Sequence, residues 1–201
     1  MAILKLQWQE IQVNRSEALR YLGYRQGVSL LSEAVEGLLR EGLALVEGAA
    51  RPAGSFSWCE VDPVRYKLSE KIKERVRGAV HLVCFSATLG ADVDKVISQL
   101  FLSESHALAA VTDAWGSAGA EAVARRVQLE VGREARQRGL IAKFRLSPGY
   151  SGWPLEANHV LLQDSHGWEL GIQVRSEGLL LPRKSVLGII PLFPAEPERG
   201  D

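Results

Sequence analysis

The stretch Ser69-Glu-Lys-Ile-Lys-Glu-Arg-Val-Arg-Gly78, running into Val80-His-Leu-Val-Cys-Phe85 and closing on Thr88-Leu-Gly90, sets the fold class. In its first half, lysine, glutamate and arginine alternate around Ile72 and Val76, the pattern of an exposed helix. Its second half is a short apolar run, the pattern of a buried strand. Asp92 and Asp94 then fall in the first turn of a helix reaching Phe101, where carboxylates suit the partial positive charge of a helix N-terminus, and they read as capping residues.

Toward the N-terminus, residues 3–13 mix β-branched, aromatic and polar residues as a strand does, and Asn14 or Ser16 can cap a short helix ending near Gly23. A second helix is expected from Ser29 to Gly48, with Leu30, Leu31, Ala34, Leu38, Leu45 and Val46 at helical spacing. Residues 51–63, with Pro52 and Gly54 ahead of Phe56, Trp58 and Cys59, read as an edge or meander strand. Toward the C-terminus, 106–138 is one long helix whose middle, Asp113-Ala-Trp-Gly-Ser-Ala-Gly-Ala-Glu121, is too rich in small residues for a simple surface helix. There follow a strand over 141–146, a loop over 147–153, a helix over 154–164, strands over 170–176 and 185–192, and a flexible charged tail over 195–201. The expected architecture is α+β: a single domain over 1–201 with a mainly antiparallel twisted sheet and flanking helices.

Composition narrows the function classes. With 46% hydrophobic and 24% charged residues among 201, the chain has the make-up of a folded domain and not of a disordered segment or a disulfide scaffold. Lysine plus arginine and aspartate plus glutamate both number 24, so no overall positive field draws nucleic acid or a membrane surface, and neither is expected as a partner. The longest apolar run, 186–193, is far shorter than the roughly 20 residues of a membrane span. Lys5 and Glu10 interrupt any signal-peptide core, so a cytoplasmic location is expected. Cys59 and Cys84 stand 25 positions apart without metal-ligand spacing and read as buried reduced thiols, so no metal site is expected.

The string Arg145-Leu-Ser-Pro-Gly-Tyr-Ser-Gly-Trp-Pro154, between a strand and a helix, is the strongest candidate for chemistry. Arginine offers a planar fork for a carboxylate, Gly149 admits a close backbone approach, and Tyr150 presents a flat ring with a hydroxyl, a set that suits an amino-acid or nucleoside ligand. The same string is also a rigid Pro-Gly turn, with Arg145 paired to a surface carboxylate and its aromatics in the core. On the long helix Asp113, Ser117 and Glu121 share one face beside Gly116 and Gly119, which leave room for a ligand or another backbone. The alternative there is a solvated stripe with Glu121 paired to Arg125. Glu156 and His159 form a single ExxH with no second copy, Gly149-Tyr-Ser-Gly152 lacks the nucleophile elbow, and no GxGxxG or GxxxxGKS is present.

Taken in order, Leu19-Arg-Tyr-Leu-Gly23, Ser86-Ala-Thr-Leu-Gly90, the small-residue helix 113–121, the Arg-x-x-Pro-Gly-Tyr loop 145–150 and Leu181-Pro-Arg-Lys-Ser-Val186 resemble the activation domain of cobalamin-dependent methionine synthase. The resemblance spans nearly the whole chain and is greatest to the short stand-alone bacterial members. It implies a non-Rossmann fold that binds S-adenosylmethionine, in keeping with the missing GxGxxG. It also implies that Arg145 holds the methionine carboxylate, that Ser147, Gly149 and Tyr150 line the ligand, and that Glu121 helps to position it.

The implied function is support of reductive methylation, the reactivation of cob(II)alamin. A flavodoxin-type donor supplies one electron, and methyl transfer from S-adenosylmethionine traps the reduced cobalt as methylcobalamin. The chain has no Asp-x-His-x-x-Gly corrinoid motif, so the cobalamin must come on a partner, the methionine synthase core or another corrinoid protein. The expected docking face is 145–153 with 181–185, and Trp153 is its anchor. Ile189 or Ile190 stands where the full-length synthase has a tyrosine, and its early aspartate ligand has no secure counterpart here. The alternative function is a non-catalytic interaction scaffold that docks on a corrinoid methyltransferase without using S-adenosylmethionine.

Overall fold

A computed structural model describes residues 1–24 and 31–195. The strands β1 (Ala2–Lys5), β2 (Ala53–Cys59), β3 (His81–Thr88), β4 (Leu140–Ala142), β5 (Gln173–Val174), β6 (Leu180–Leu181) and β7 (Ser185–Pro194) alternate with helices α1 (Arg15–Tyr21), α2 (Glu33–Ala49), α3 (Glu70–Arg75), α4 (Ala91–Leu102), α5 (His106–Gln137) and α6 (Ala157–Asp164). The main sheet has the order β1-β2-β3-β7-β4 with every neighbouring pair antiparallel, and β5 and β6 form a separate hairpin. The architecture is the expected α+β one.

β3 explains why the apolar run after Gly78 lacks alternation. Val83, Phe85 and Ala87, with Ile190 and Leu192 of β7, face a core shared with α2, α4 and α5. Leu82 and Cys84, with Leu187 and Ile189, face a second core built on Tyr66, Ile72, Trp153 and Leu161. A strand covered on both faces needs apolar residues at every position. The 32 residues of α5 extend about 48 Å at 1.5 Å per residue. The small residues in its middle let it lie against the sheet and against α2, where the Trp115 indole N–H donates to the Leu39 carbonyl at 2.9 Å.

Several expectations change. Of the two readings of 51–63, edge or meander strand, the structure has the meander: β2 lies between β1 and β3, antiparallel to both, and β1 holds the edge. The N-terminal strand is shorter than 3–13 because Trp8–Glu10 is a 3-10 turn. Asn14 caps α1, its Oδ1 accepting the Ser16 N–H at 2.8 Å. Ser32 caps α2, which starts at Glu33; Ser29 and Leu30 lie outside the described residues. The strand expected over 141–146 stops at Ala142, leaving Leu146 as an isolated bridge to Ile189. The Ala195 N–H donates to the Gly139 carbonyl at 2.9 Å, and the rest of the expected tail lies outside the described residues. Among the described residues no helix is long and apolar enough to cross a membrane.

Beside Gly188 the chain leaving β4 comes back against β7 as an antiparallel bridge at Leu146. Leu146 and Ile189 exchange two backbone hydrogen bonds of 2.9 Å, and a Cβ on Gly188 would stand 2.1 Å from the Leu146 carbonyl oxygen. A Cβ on Gly54 would instead meet a side chain, the buried Val127 Cγ2 at 2.3 Å, with the Ser86 carbonyl oxygen at 3.3 Å. Overpacking costs typically about 1–3 kcal/mol, and each kcal/mol lowers Tm by about 2–4 °C at this size. Thermal denaturation should place Gly54→Ala within that range and Gly188→Ala at or beyond its upper end. The reverse order would show that the backbone bridge relaxes easily.

Candidate functional site

The segment 145–153 is pinned at both ends. Leu146 is bridged to β7 and buries its side chain in the second core. Its neighbours Arg145 and Ser147 therefore point the other way, Arg145 to α5 and Ser147 into a cavity. At the far end Trp153 is 1% exposed and its indole N–H donates to the Tyr66 carbonyl at 2.8 Å. Trp153 is therefore a core residue, as the rigid-turn reading of the string has it, and not the anchor of the expected docking face. Between these pins Gly149 (φ +90°) and Gly152 (φ +72°) adopt left-handed conformations that a side chain resists. The Gly149 N–H donates to the Trp153 carbonyl at 2.8 Å, closing a turn that leaves Tyr150 72% exposed.

The cavity has a volume of about 570 Å³, within the roughly 300–1,000 Å³ of small-molecule sites. Ser147, Pro148 and Tyr150 line it from the loop, Ser117, Ala120 and Glu121 from α5, Tyr21 from α1, Asn158 from α6, and residues 178–181 and 183–187 from the hairpin and the start of β7.

Most of its charges are paired across segments; Arg175, which also lines it, has no ion-pair partner among the described residues. Arg145 Nη2 donates to Glu121 Oε2 at 3.2 Å, and Arg145 Nε to Gln128 Oε1 at 3.0 Å, so the guanidinium lies along α5. Glu121 thus takes Arg145 and not Arg125, which bonds Glu17 of α1 at 3.3 Å. Lys184 Nζ lies 2.8 Å from Asp113 Oδ1 and donates to Ser117 Oγ at 2.9 Å. The stripe of Asp113, Ser117 and Glu121 is therefore not a solvated face. The room beside Gly116 and Gly119 is filled by side chains: a Cβ would stand 3.0 Å from Lys184 Cε at the first and 2.8 Å from Leu89 Cδ1 at the second. Burial, reinforced by the charge of Glu121, raises the Tyr21 phenol above its ordinary range against the opposing pull of Arg20. Tyr21 is thus an un-ionised donor at neutral pH.

Of the residues expected to hold the ligand, Glu121, Ser147 and Tyr150 line the cavity. Arg145 stands behind Glu121, and Gly149 shapes the turn, packed toward Leu155. Lys184, Arg183 and Asn158 also belong to the site and were not singled out as site residues. Asn158 is buried and its Nδ2 donates to the Gly178 carbonyl at 2.9 Å, fixing the hairpin. The Arg183 N–H donates to Asp94 Oδ2 at 2.6 Å, so Asp94 anchors the turn before β7 instead of capping α4, whose N-cap is Gly90.

No protein-family model and no curated protein sequence matches the chain. Its sheet order and helical layers define an α+β fold class without a Rossmann core. Within that class it is similar to a solved structure, the MetH reactivation domain bound to AdoHcy, with a TM-score of 0.72 and 11% identity over 99% of this chain and 80% of that one. The chain has the fold of that reactivation domain.

The pair Lys184–Asp113 is unequally buried, with 8% and 40% of the side chains exposed. Asp113→Ala leaves an uncompensated buried ammonium, a loss of about 3–5 kcal/mol. Lys184→Met keeps the stem packed on Gly116 and leaves a carboxylate that water reaches, a loss below about 1.5 kcal/mol. Urea denaturation should rank Asp113→Ala as the more damaging change; equal losses would mean that the Lys184 head finds solvent on its own.

Proposed function

We propose that the chain binds S-adenosylmethionine in this cavity and supports the reductive methylation that reactivates cob(II)alamin on methionine synthase or another corrinoid protein. The Arg145–Glu121 pair, with Glu121 in the cavity wall and Arg145 behind it, carries the reading. An amino-acid zwitterion matches such a pair in both charges, its carboxylate meeting the guanidinium and its ammonium the glutamate, so binding exchanges one internal ion pair for two. Tyr150 and Tyr21 offer flat rings with hydroxyls to the rest of the ligand, and Ser147 offers a further polar contact. Lys184 is neutralised by Asp113, so it sets no unpaired positive charge against a sulfonium.

The chain's own contribution is placement. Its residues bind and orient the methyl donor where the partner's cobalt can reach it, and no acid or base of the chain is needed. The corrinoid supplies the nucleophile and a flavodoxin-type donor the electron. The scaffold alternative draws support from the same pairs: Arg145 is already engaged by Glu121 and Gln128, and Lys184 by Asp113.

Calorimetric titration separates the two, because a scaffold binds neither S-adenosylmethionine nor S-adenosylhomocysteine. Where binding is found, Arg145→Lys keeps the charge and loses the fork, and should weaken binding by about 1.5–3 kcal/mol, or roughly 10- to 150-fold. Unchanged affinity would remove Arg145 from the site. Spectroscopy of a cob(II)alamin-loaded methionine synthase core, with a low-potential reductant and S-adenosylmethionine, should show methylcobalamin forming faster when this protein is added. No acceleration with that core or with other corrinoid proteins would overturn the reactivation reading.

A further inference from the structure

We propose that Cys59, Cys84 and Asp164 form a binding site for a zinc ion on the face of the sheet opposite α5. Among the described residues these three are the one group of potential metal ligands that comes together, with Sγ of each cysteine and a carboxylate oxygen all within 4.8 Å of one another. The sheet register produces the meeting. Ser57 pairs with Cys84 and Cys59 with Leu82, so Cys59, two residues beyond Ser57, points to the same face as Cys84. Across such a diagonal, backbones stand about 7–8 Å apart, beyond the roughly 4.4–6.8 Å that a disulfide spans. Both thiols are free. They are close enough to share an ion and too far apart to bond each other.

The geometry suits a tetrahedral cation. With bonds of about 2.3 Å to sulfur and 2.0–2.2 Å to oxygen, neighbouring ligand atoms stand about 3.5–3.8 Å apart, which small side-chain rotations reach from the present positions. Asp164, the last residue of α6, is already held in place. Arg65 Nη2 donates to Oδ1 at 2.5 Å, Arg65 Nε to Oδ2 at 2.9 Å, and the Tyr66 hydroxyl to Oδ2 at 2.8 Å. Each carboxylate oxygen has two acceptor positions, so with three hydrogen bonds accepted in all the carboxylate keeps one for a metal. Hydrogen bonds of this kind orient ligating carboxylates in metal sites generally.

Charge agrees with the assignment. Two thiolates and a carboxylate carry three negative charges, which a divalent ion and the Arg65 guanidinium neutralise; the two thiol protons pass to solvent on binding. Thiolate ligands select zinc over magnesium or calcium, and the Tyr66 hydroxyl, which faces both thiols as well as Asp164, stands beside the fourth position. Cys84 is fully buried, whereas Cys59 and Asp164 are partly exposed and give the ion its route in.

The test uses the full chain, reduced and stripped of metal by chelation, titrated with Co²⁺. One equivalent should bring up a thiolate-to-cobalt charge-transfer band with intense visible bands of a four-coordinate ion, and Zn²⁺ should displace it. The chain has only two cysteines, so any charge-transfer band reports on this site, and adventitious binding at its 4 histidines gives none. Cys59→Ser should lose about half the band and bind at least about tenfold more weakly, whereas Asp164→Asn should keep the band and weaken binding by about 10- to 100-fold. A readout on the unaltered protein stands beside these: Zn²⁺ should protect Cys59 from alkylation by iodoacetamide, as read by peptide mass. No cobalt band, a band unchanged in Cys59→Ser, or alkylation indifferent to Zn²⁺ would each overturn the site.

Discussion

A missing side chain at Gly188 allows two backbones to approach closely beside β7, and the cavity depends on that meeting. The chain leaving β4 is held there by the two hydrogen bonds between Leu146 and Ile189. Because Leu146 is driven into the second core, Arg145 and Ser147 are presented on the other side as a matter of strand geometry. Burial of an apolar residue thus aims two polar ones. Trp153 does the same at the far end of the loop, where its buried ring fixes the closed turn and leaves Tyr150 outside. The exposed part of the site inherits its order from the core beneath it.

α5 acts as a ruler for the segments around it. Its acids and amides meet bases delivered by separate parts of the chain: Asp113 meets Lys184, and Glu121 and Gln128 meet Arg145. Its own Arg125 in turn ties down Glu17 of α1. Each contact is modest in water, but together they set the rotation of the helix against the loop and the start of β7. The pairs offset the charges of Glu121, Arg183 and Lys184 at the cavity wall, whereas Arg175 stands there without an ion-pair partner among the described residues.

Local signals in the sequence were reliable where one segment decides its own structure. β3 is readable because a strand covered on both faces must be apolar throughout, and α5 because no other element tolerates so long a helical pattern. The loop is readable because Gly149 and Gly152 are needed for left-handed backbone. What stayed hidden depends on register between distant segments. The alternation of Phe56 and Trp58 looks the same on an edge strand as on β2, whose inner place is decided by its pairing with β1. Asp94 looks like a capping residue until the turn at Arg183 is brought to it. Trp153 reads either as a docking anchor or as core because nothing nearby in sequence shows the Tyr66 carbonyl that satisfies its N–H. The wide spacing of Cys59 and Cys84 matches no ligand motif, yet antiparallel pairing of β2 and β3 makes them neighbours. The same holds for Lys184, whose partner Asp113 is known only once α5 and β7 are packed together.

The place of β7 between β3 and β4 has a consequence for how the chain is made. β3 pairs with β2 soon after it is synthesised, but its other edge must wait for residues 185–192, about a hundred positions later. Pairing over such a distance closes a long loop and falls late in folding. Until then β3, apolar on both faces, presents a row of open backbone donors and acceptors, the arrangement that pairs most readily with a foreign strand. Helices α4 and α5 emerge during that interval and can cover one face, but in the fold they lie on that face and leave the edge to β7. The yield of native protein is therefore governed by how promptly translation delivers the strand that completes the sheet, and slow synthesis between residues 140 and 185 would be paid for in aggregation.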